Sequence, residues 1–346
     1  MRKVLGILLI MCVSVFQAMP VFSQAAYEVS NFIETLEVGS PVNYQNLTII
    51  PVYATRVYDN TNYTTLDEAL NRGWLTISEM GGGNVNEVMI SNHSGRYIYI
   101  MGGEILTGCR QDRIVSKDVL IGPRRYNVRV PVYCVEEGRW TAESDRFYSK
   151  NNLGTHRLRA VAQKAEYNAQ SSIWDSVRGF NSSLSVRSHT QAYQDAYEDR
   201  GVRSRVVAYE EKLQYVPGLN RDTVGVVVAV GGEIVSADIF ANPQIFKKLW
   251  PKILRSSAFS TINCTRGGYV SQRQAADFLS GLRHNNYYRV RAIDLGDELS
   301  ASTGANVNAL VYRNSVLHLA AFNDYSPYYG QRQRDNHNGR IPVIRR

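Results

Sequence analysis

Between Tyr126 and Glu137 the sequence YNVRVPVYCVEE alternates, so that Val128, Val130, Val132, Cys134 and Glu136 fall on one face of an extended chain. An apolar file there ends in a thiol and then a carboxylate. Other apolar stretches read as strands: LTIIPVYATRVY (Leu47 to Tyr58), Trp74 to Ser78, Val85 to Ser91, YIYIM (Tyr97 to Met101), Thr223 to Val230 and Ile234 to Phe240. Near the C-terminus YYRVRAIDL, ANVNALVYR and VLHLAAF join them, the last two linked by a turn at Asn314 and Ser315. Pro51 interrupts the first of these strands, which suits an edge or a strand start.

Helical spacing appears elsewhere. Leu66, Ala69 and Leu70 share a face of a short helix over Thr65 to Arg72, with Asp67 and Glu68 in its first turn and Gly73 after it. His156 to Val177 has helix-forming composition and apolar residues at helical spacing, and Gln170 and Trp174, four apart, share one of its faces. Thr190 to Leu213 reads as a second helical stretch with Gly201 as its break. PQIFKKLWPKILRS (Pro243 to Ser256) follows with Pro251 as a kink, and QRQAADFLSGLR is capped by Ser271.

Strands in runs, with helices grouped in the middle and C-terminal half, predict an α+β fold of mainly antiparallel strands. One local pattern occurs twice: YIYIMGGEIL and GVVVAVGGEIV both place Gly-Gly between apolar segments. Both copies read as two-residue hairpins, because the central positions need positive φ, and Glu104 and Glu233 then begin the returning strands.

The first residues change the picture of the N-terminus. Arg2 and Lys3, an apolar stretch to Phe16 and small residues near Ser23 form a secretory signal pattern, so residues 1–23 are expected to be a leader and the protein to be exported, periplasmic or secreted. Residues 24–323 are expected to form one α+β domain, and 324–346 a polar, basic tail of poor order. No later segment is long and apolar enough to predict stable membrane insertion. The formal charge of +8 falls to +6 without Arg2 and Lys3, and the tail, five arginines against Asp324 and Asp335, carries half of that. No nucleic-acid partner is expected from so local an excess. Cys109, Cys134 and Cys264 remain after the leader, and Cys109 with Cys134 is the candidate disulfide, since both lie beside strands of one region.

Candidate chemistry concentrates in two segments. After the first Gly-Gly comes TGCRQDRIV, which packs Cys109, Arg110, Gln111, Asp112 and Arg113 together, whereas the second copy is followed by the largely apolar SADIFANP. Further on, VPVYCVEEGRW turns at Gly138 and presents Arg139 and Trp140: a guanidinium fork suited to phosphate or carboxylate, and an indole face suited to a ring or cation. Six histidines without paired spacing give no dedicated metal site, and there is no GxSxG, Walker or GxGxxG motif, so no cofactor is expected.

The ordered residues GE-I-L-TG-x-x-Q-x-R (Gly103 to Arg113) and VPVYCVE-x-GRW (Val130 to Trp140) are followed by Q-x-x-x-W (Gln170 to Trp174) and IFANPQIFKKLWPKILRS. Together they resemble the domain of proteins associated in gene neighbourhoods with ADP-ribosylglycohydrolases and rhodanese-phosphatases. The resemblance spans about Val42 to Ile262, and it implies a link to ADP-ribose or NAD-derived metabolism.

Two functional expectations follow. In one, Arg113 and Arg139 hold an anionic, phosphate-bearing or ADP-ribose-like small molecule, Trp140 or Trp174 stacks on its ring, and Gln111 or Gln170 reads its polar edge. Glu136 is then the acid or base, with Glu104 as second choice. In the other, the same residues form a buried structural network in a non-catalytic exported binding or interaction protein. An open cleft or a sealed, mutually paired cluster separates the two.

Overall fold

The computed structural model describes residues 22–323 apart from 58, 82–84 and 165–167; residues 1–21 of the expected leader and the expected tail from Asp324 lie outside the described residues. The fold is α+β. Thr223–Val230 explains why: its run TVGVVVAV is buried along its whole length, so both faces of the strand must be covered. It sits inside a nine-stranded sheet in the order Leu36–Val38, Leu47–Ala54, Thr223–Val230, Glu233–Phe240, Ser315–Phe322, Asn306–Tyr312, Asp297–Ala301 and Tyr288–Arg291, with Val42–Tyr44 also pairing with Leu47–Ala54. Every pairing in it is antiparallel.

One face buries Ile50, Val52, Val227 and Ile239 with Val29 and Ile33 of the helix Phe22–Glu34 and Ala275 and Leu279 of the helix Gln272–Leu282. The other buries Val226, Val228 and Phe240 with Leu249 and Ile253 of the long helix Pro243–Thr261, and with Tyr99, Met101 and Ile105 from two smaller sheets. One of these has six strands, ordered Phe147–Tyr148, Ile105–Gly108, Arg113–Val115, Val128–Cys134, Glu87–Asn92 and Leu75–Glu79. The other orders Val119–Ile121, Ile98–Ile100 and Thr64–Thr65.

Local signals hold where the chemistry is local. Val130, Val132 and Cys134 are buried, while Arg129 and Pro131 face out. Thr65 and Ser271 cap Leu66–Asn71 and Gln272–Leu282 with reciprocal capping boxes. The structure corrects several expectations. His156 to Val177 is two helices, His156–Lys164 and Ala169–Ser183. The break near Gly201 falls at Asp199, whose carboxylate caps Arg200–Leu213 by accepting from Val202 N, and Gly201 lies inside the helix. The C-terminal hairpin turns at Arg313 and Asn314, both at positive φ, because Tyr312 pairs with Ser315. Pro51 lies mid-strand, paired with Val226. Its carbonyl accepts from Gly39 N (2.8 Å), so its ring nitrogen faces the break between Leu36–Val38 and Val42–Tyr44, where no ladder bond is lost.

The repeated Gly-Gly divides. Gly231 and Gly232, at φ +59° and +82°, form the expected hairpin, with Val230 paired to Glu233. Gly102 and Gly103 make a turn closed by Glu104 N to Met101 O (3.1 Å), but no hairpin: Ile98–Ile100 belongs to the three-stranded sheet and Ile105–Gly108 to the six-stranded one. The same dipeptide therefore passes the chain between sheets. Gly103 is at φ +100°, and a Cβ there would overlap the Arg159 side chain. Gly103→Ala is expected to cost about 3 kcal/mol in denaturant unfolding, from strain plus overpacking. Gly73→Ala, also at positive φ but facing open space, is expected to cost about 1 kcal/mol.

Candidate functional site

The segment Cys109 to Asp112 links Ile105–Gly108 to Arg113–Val115, and Cys109 takes φ +49° to make the bend. Arg113 pairs in register with Cys134, so the strand Val128–Cys134 delivers Glu136 and Arg139 to the same bend. There the two motifs meet. Arg139 Nε lies 2.9 Å from both Glu136 oxygens, its Nη2 2.6 Å from Glu136 Oε2 and 3.1 Å from Asp112 Oδ1, and its Nη1 donates to Cys109 O (2.6 Å). Glu136 also accepts from Thr190 Oγ1 (2.8 Å) and Asp112 N (3.2 Å), and Asp112 from Gly108 N (3.0 Å).

The cluster is sealed: Arg139 is 8% exposed, and Glu136, Asp112, Arg113 and Gln111 are buried. Burial works against the Arg139 charge, but the hydrogen bonds and charges of Glu136, with Asp112 and Glu143, outweigh it and hold its pKa above the usual value. For Asp112 burial wins. With the Glu136 charge added, it pushes the carboxyl up to about 6 despite Gly108 N–H and Arg139.

The remaining predicted residues are placed as follows. Arg113 Nη1 donates to Gln111 O (2.7 Å), and Gln111 Nε2 to Glu137 O (3.3 Å), while Gln111 Oε1 is buried without a partner among the described residues. Gln170 exchanges two 2.9 Å bonds with the backbone of Cys134, as a neighbouring strand would. Trp174 is half-buried on the same helix, and Trp140 stands outward, 62% exposed. Cys109 and Cys134, the candidate disulfide, are free buried thiols. Burial pushes Cys109 up to about 11 and raises Cys134, so neither offers a thiolate near neutral pH.

Glu104 belongs to a different cluster. Its carboxylate meets Lys252 and accepts from Met101 N (2.9 Å), and Lys252 also meets Asp67, which holds Ser149. Burial and the Asp67 charge push Glu104 up to about 7 against the pull of Lys252. A third cluster was not foreseen from the sequence. Arg159 binds both Asp238 oxygens (2.9 and 2.6 Å), His318 stands between Asp238 (3.3 Å) and Asp118 (2.6 Å), and all but Asp118 are wholly buried. The one available signal was a single ionisable residue in each largely apolar run: Asp238 in IVSADIF, His318 in VLHLAAF and, in the second cluster, Lys252 in LWPKIL. An open groove of about 490 Å³ lies elsewhere, between the end of His156–Lys164 and the outer strands of the large sheet, and none of the residues singled out from the sequence lines it.

The family profile of the ARG and Rhodanese-Phosphatase-superfamily-associated Protein domain matches residues 35–322. The chain belongs to this ARPP-1 family. Its match extends beyond the expected Val42 to Ile262, taking in the strands that carry Glu298, Asn306 and His318. No curated protein matches the chain. No solved structure matches it either. Among the described residues of this ARPP-1 domain, no group of three or more His, Cys, Asp or Glu could hold a metal ion, and no helix is long and apolar enough to cross a membrane.

The Asp112 carboxyl gives a pH test. Its folded value of about 6 lies above its ordinary 3.8, so the folded state binds the proton more tightly than the unfolded chain. Wild type should therefore gain stability relative to Asp112→Asn as pH falls from 6 to 4, by up to about 3 kcal/mol in urea unfolding. A constant difference across that window would contradict the assignment.

Proposed function

We propose that this protein is a non-catalytic binding or interaction protein in which the Arg, Glu and Gln motifs are internal structure. The observation that carries this reading is the satisfied guanidinium of Arg139: its donors are engaged by Glu136, Asp112 and Cys109 O within the fold, leaving no open face toward a ligand. Glu136 and Glu104, the two carboxylates assigned to acid and base work, also stand in separate clusters with separate cationic partners. The proposed setting is an exported one, on the strength of the Arg2, Lys3 and apolar leader pattern.

A second reading keeps a phosphate-bearing or ADP-ribose-like substrate, as the family's association with ADP-ribosylglycohydrolases implies. What favours it is that Asp112 and Glu104, at about 6 and about 7, sit where an acid or base works at neutral pH. Their burial argues against it, since a substrate would have to displace Arg139 or Lys252 to reach them.

The two readings differ in what a substitution does to stability. Breaking a buried, hydrogen-bonded ion pair leaves a charge uncompensated, so Arg139→Ala is expected to lose about 3 kcal/mol or more, and Glu136→Gln to move the same way. Removing a catalytic charge commonly leaves stability intact or raises it. Denaturant midpoints equal to or above wild type for both variants would sink the structural reading.

A further inference from the structure

Lys252 is the one lysine that the fold buries among the described residues, and it brings a primary amine between two carboxylates. The arginines of the other clusters cannot act as nucleophiles, since a guanidinium keeps its proton; an amine can, once it gives one up. Lys252 lies in the helix Pro243–Thr261, whose Leu249 and Ile253 are buried in the core.

The two carboxylates are held differently. Asp67 sits in the first turn of Leu66–Asn71, with Oδ2 against Lys252 Nζ and Oδ1 accepting from Ser149 Oγ (2.6 Å). Its side chain keeps 20% exposure, a route by which a small product can leave. Glu104 is sealed, with Oε1 against the same Nζ and Oε2 accepting from Met101 N (2.9 Å). With its carboxyl at about 7, Glu104 both takes and gives a proton near neutral pH. An amine, a carboxyl polarised by a hydroxyl and a second carboxyl touching the amine are the parts that amide formation requires: nucleophile, electrophile and proton relay.

We infer that Lys252 and Asp67 join in an intramolecular amide bond, with Glu104 as the proton relay. The ammonium first passes a proton to Asp67, which turns a buried ion pair into two neutral groups. The Nζ lone pair then attacks Asp67 Cγ, and the Ser149 hydroxyl meets the charge that develops on Oδ1. Glu104 accepts a proton from the nitrogen and returns it to Oδ2, the Cγ–Oδ2 bond breaks, and Oδ2 departs as water. A C–N bond replaces a C–O bond, nothing is oxidised or reduced, and Glu104 ends as it began.

The two carboxylates raise the Lys252 pKa and so oppose the first step. Orientation works the other way, since reacting groups held in contact behave as if at about 10⁵ M or more, and the amide removes two charges from a buried site. The bond ties positions 185 apart, and is a covalent tie that Cys109, Cys134 and Cys264, all free, do not supply. It goes beyond the binding reading and does not depend on it.

Intact-mass measurement on the purified, denatured chain, after prolonged incubation at neutral pH, tests the bond. Wild type should be lighter than its sequence mass by one water, and tryptic digestion should yield a branched peptide joining Asp67 to Lys252. Lys252→Arg, which keeps the positive charge, should show its full sequence mass. Asp67→Asn should reach the same final mass as wild type by releasing ammonia in place of water, an outcome that ionic pairing alone does not give. Folded Glu104→Gln, checked by circular dichroism, should form the bond about a hundredfold more slowly. Wild type at full sequence mass, with Asp67 and Lys252 on separate peptides, overturns the bond. A branch at Glu104 in place of Asp67, or an unchanged rate in Glu104→Gln, overturns the assignment of the relay.

Discussion

Arg159 and Asp238 meet where neither can reach water, and the fold closes around them. The guanidinium takes both carboxylate oxygens (2.9 and 2.6 Å) and spends Nε on Gly102 O (3.2 Å). Gly102 N in turn donates to Asp118 (2.7 Å), Asp118 holds His318, and His318 Nε2, which makes no hydrogen bond, lies at ion-pair distance (3.3 Å) from Asp238. A closed circuit thus joins the helix His156–Lys164, two strands of the large sheet and the turn that passes between the smaller sheets. Burial alone would strip the proton from His318, but the Asp118 and Asp238 carboxylates outweigh it and raise its pKa; Arg159 holds Asp238 well below the usual carboxylate range. Such pairs add little net stability over apolar packing, yet are expensive to break singly, so the circuit specifies which elements meet.

The other two clusters repeat the principle at lower reach. Lys252 joins the long helix Pro243–Thr261 to Glu104 beside the Gly103 turn and to Asp67 in the first turn of Leu66–Asn71. Arg139 ties the segment after Val128–Cys134 to the bend at Cys109. The density of charged residues around Gly102 to Arg113 and Val130 to Trp140 comes from this internal pairing, in a region where the nine-, six- and three-stranded sheets share buried side chains.

What the sequence made legible was whatever adjacent residues decide. Thr223–Val230 stands out as a largely apolar run, Val128 to Cys134 as an alternation, and Ser271 as a cap. Partner choice was not legible, because it is settled over distance. The two Gly-Gly segments look alike, yet one returns its strand to a neighbour and the other sends it to a different sheet. Asp297–Ala301, reading DELSA, has too little apolar pattern to be seen as a strand and forms one because strands lie on both sides. Arg139 and Glu136 were found because they sit three positions apart. Arg159 and Asp238 are 79 positions apart, Lys252 and Glu104 148, and His318 and Asp118 200, so no motif could contain them.

The closed circuit is tested most directly by a double-mutant cycle on Arg159 and Asp238, read by denaturant unfolding. Arg159→Met and Asp238→Leu should each lose about 3 kcal/mol or more, and the double variant much less than the sum, because each single change strands a buried charge that the double change removes. Losses that simply add would mean that the two residues stabilise the fold independently, and that the pair does not hold the sheets together.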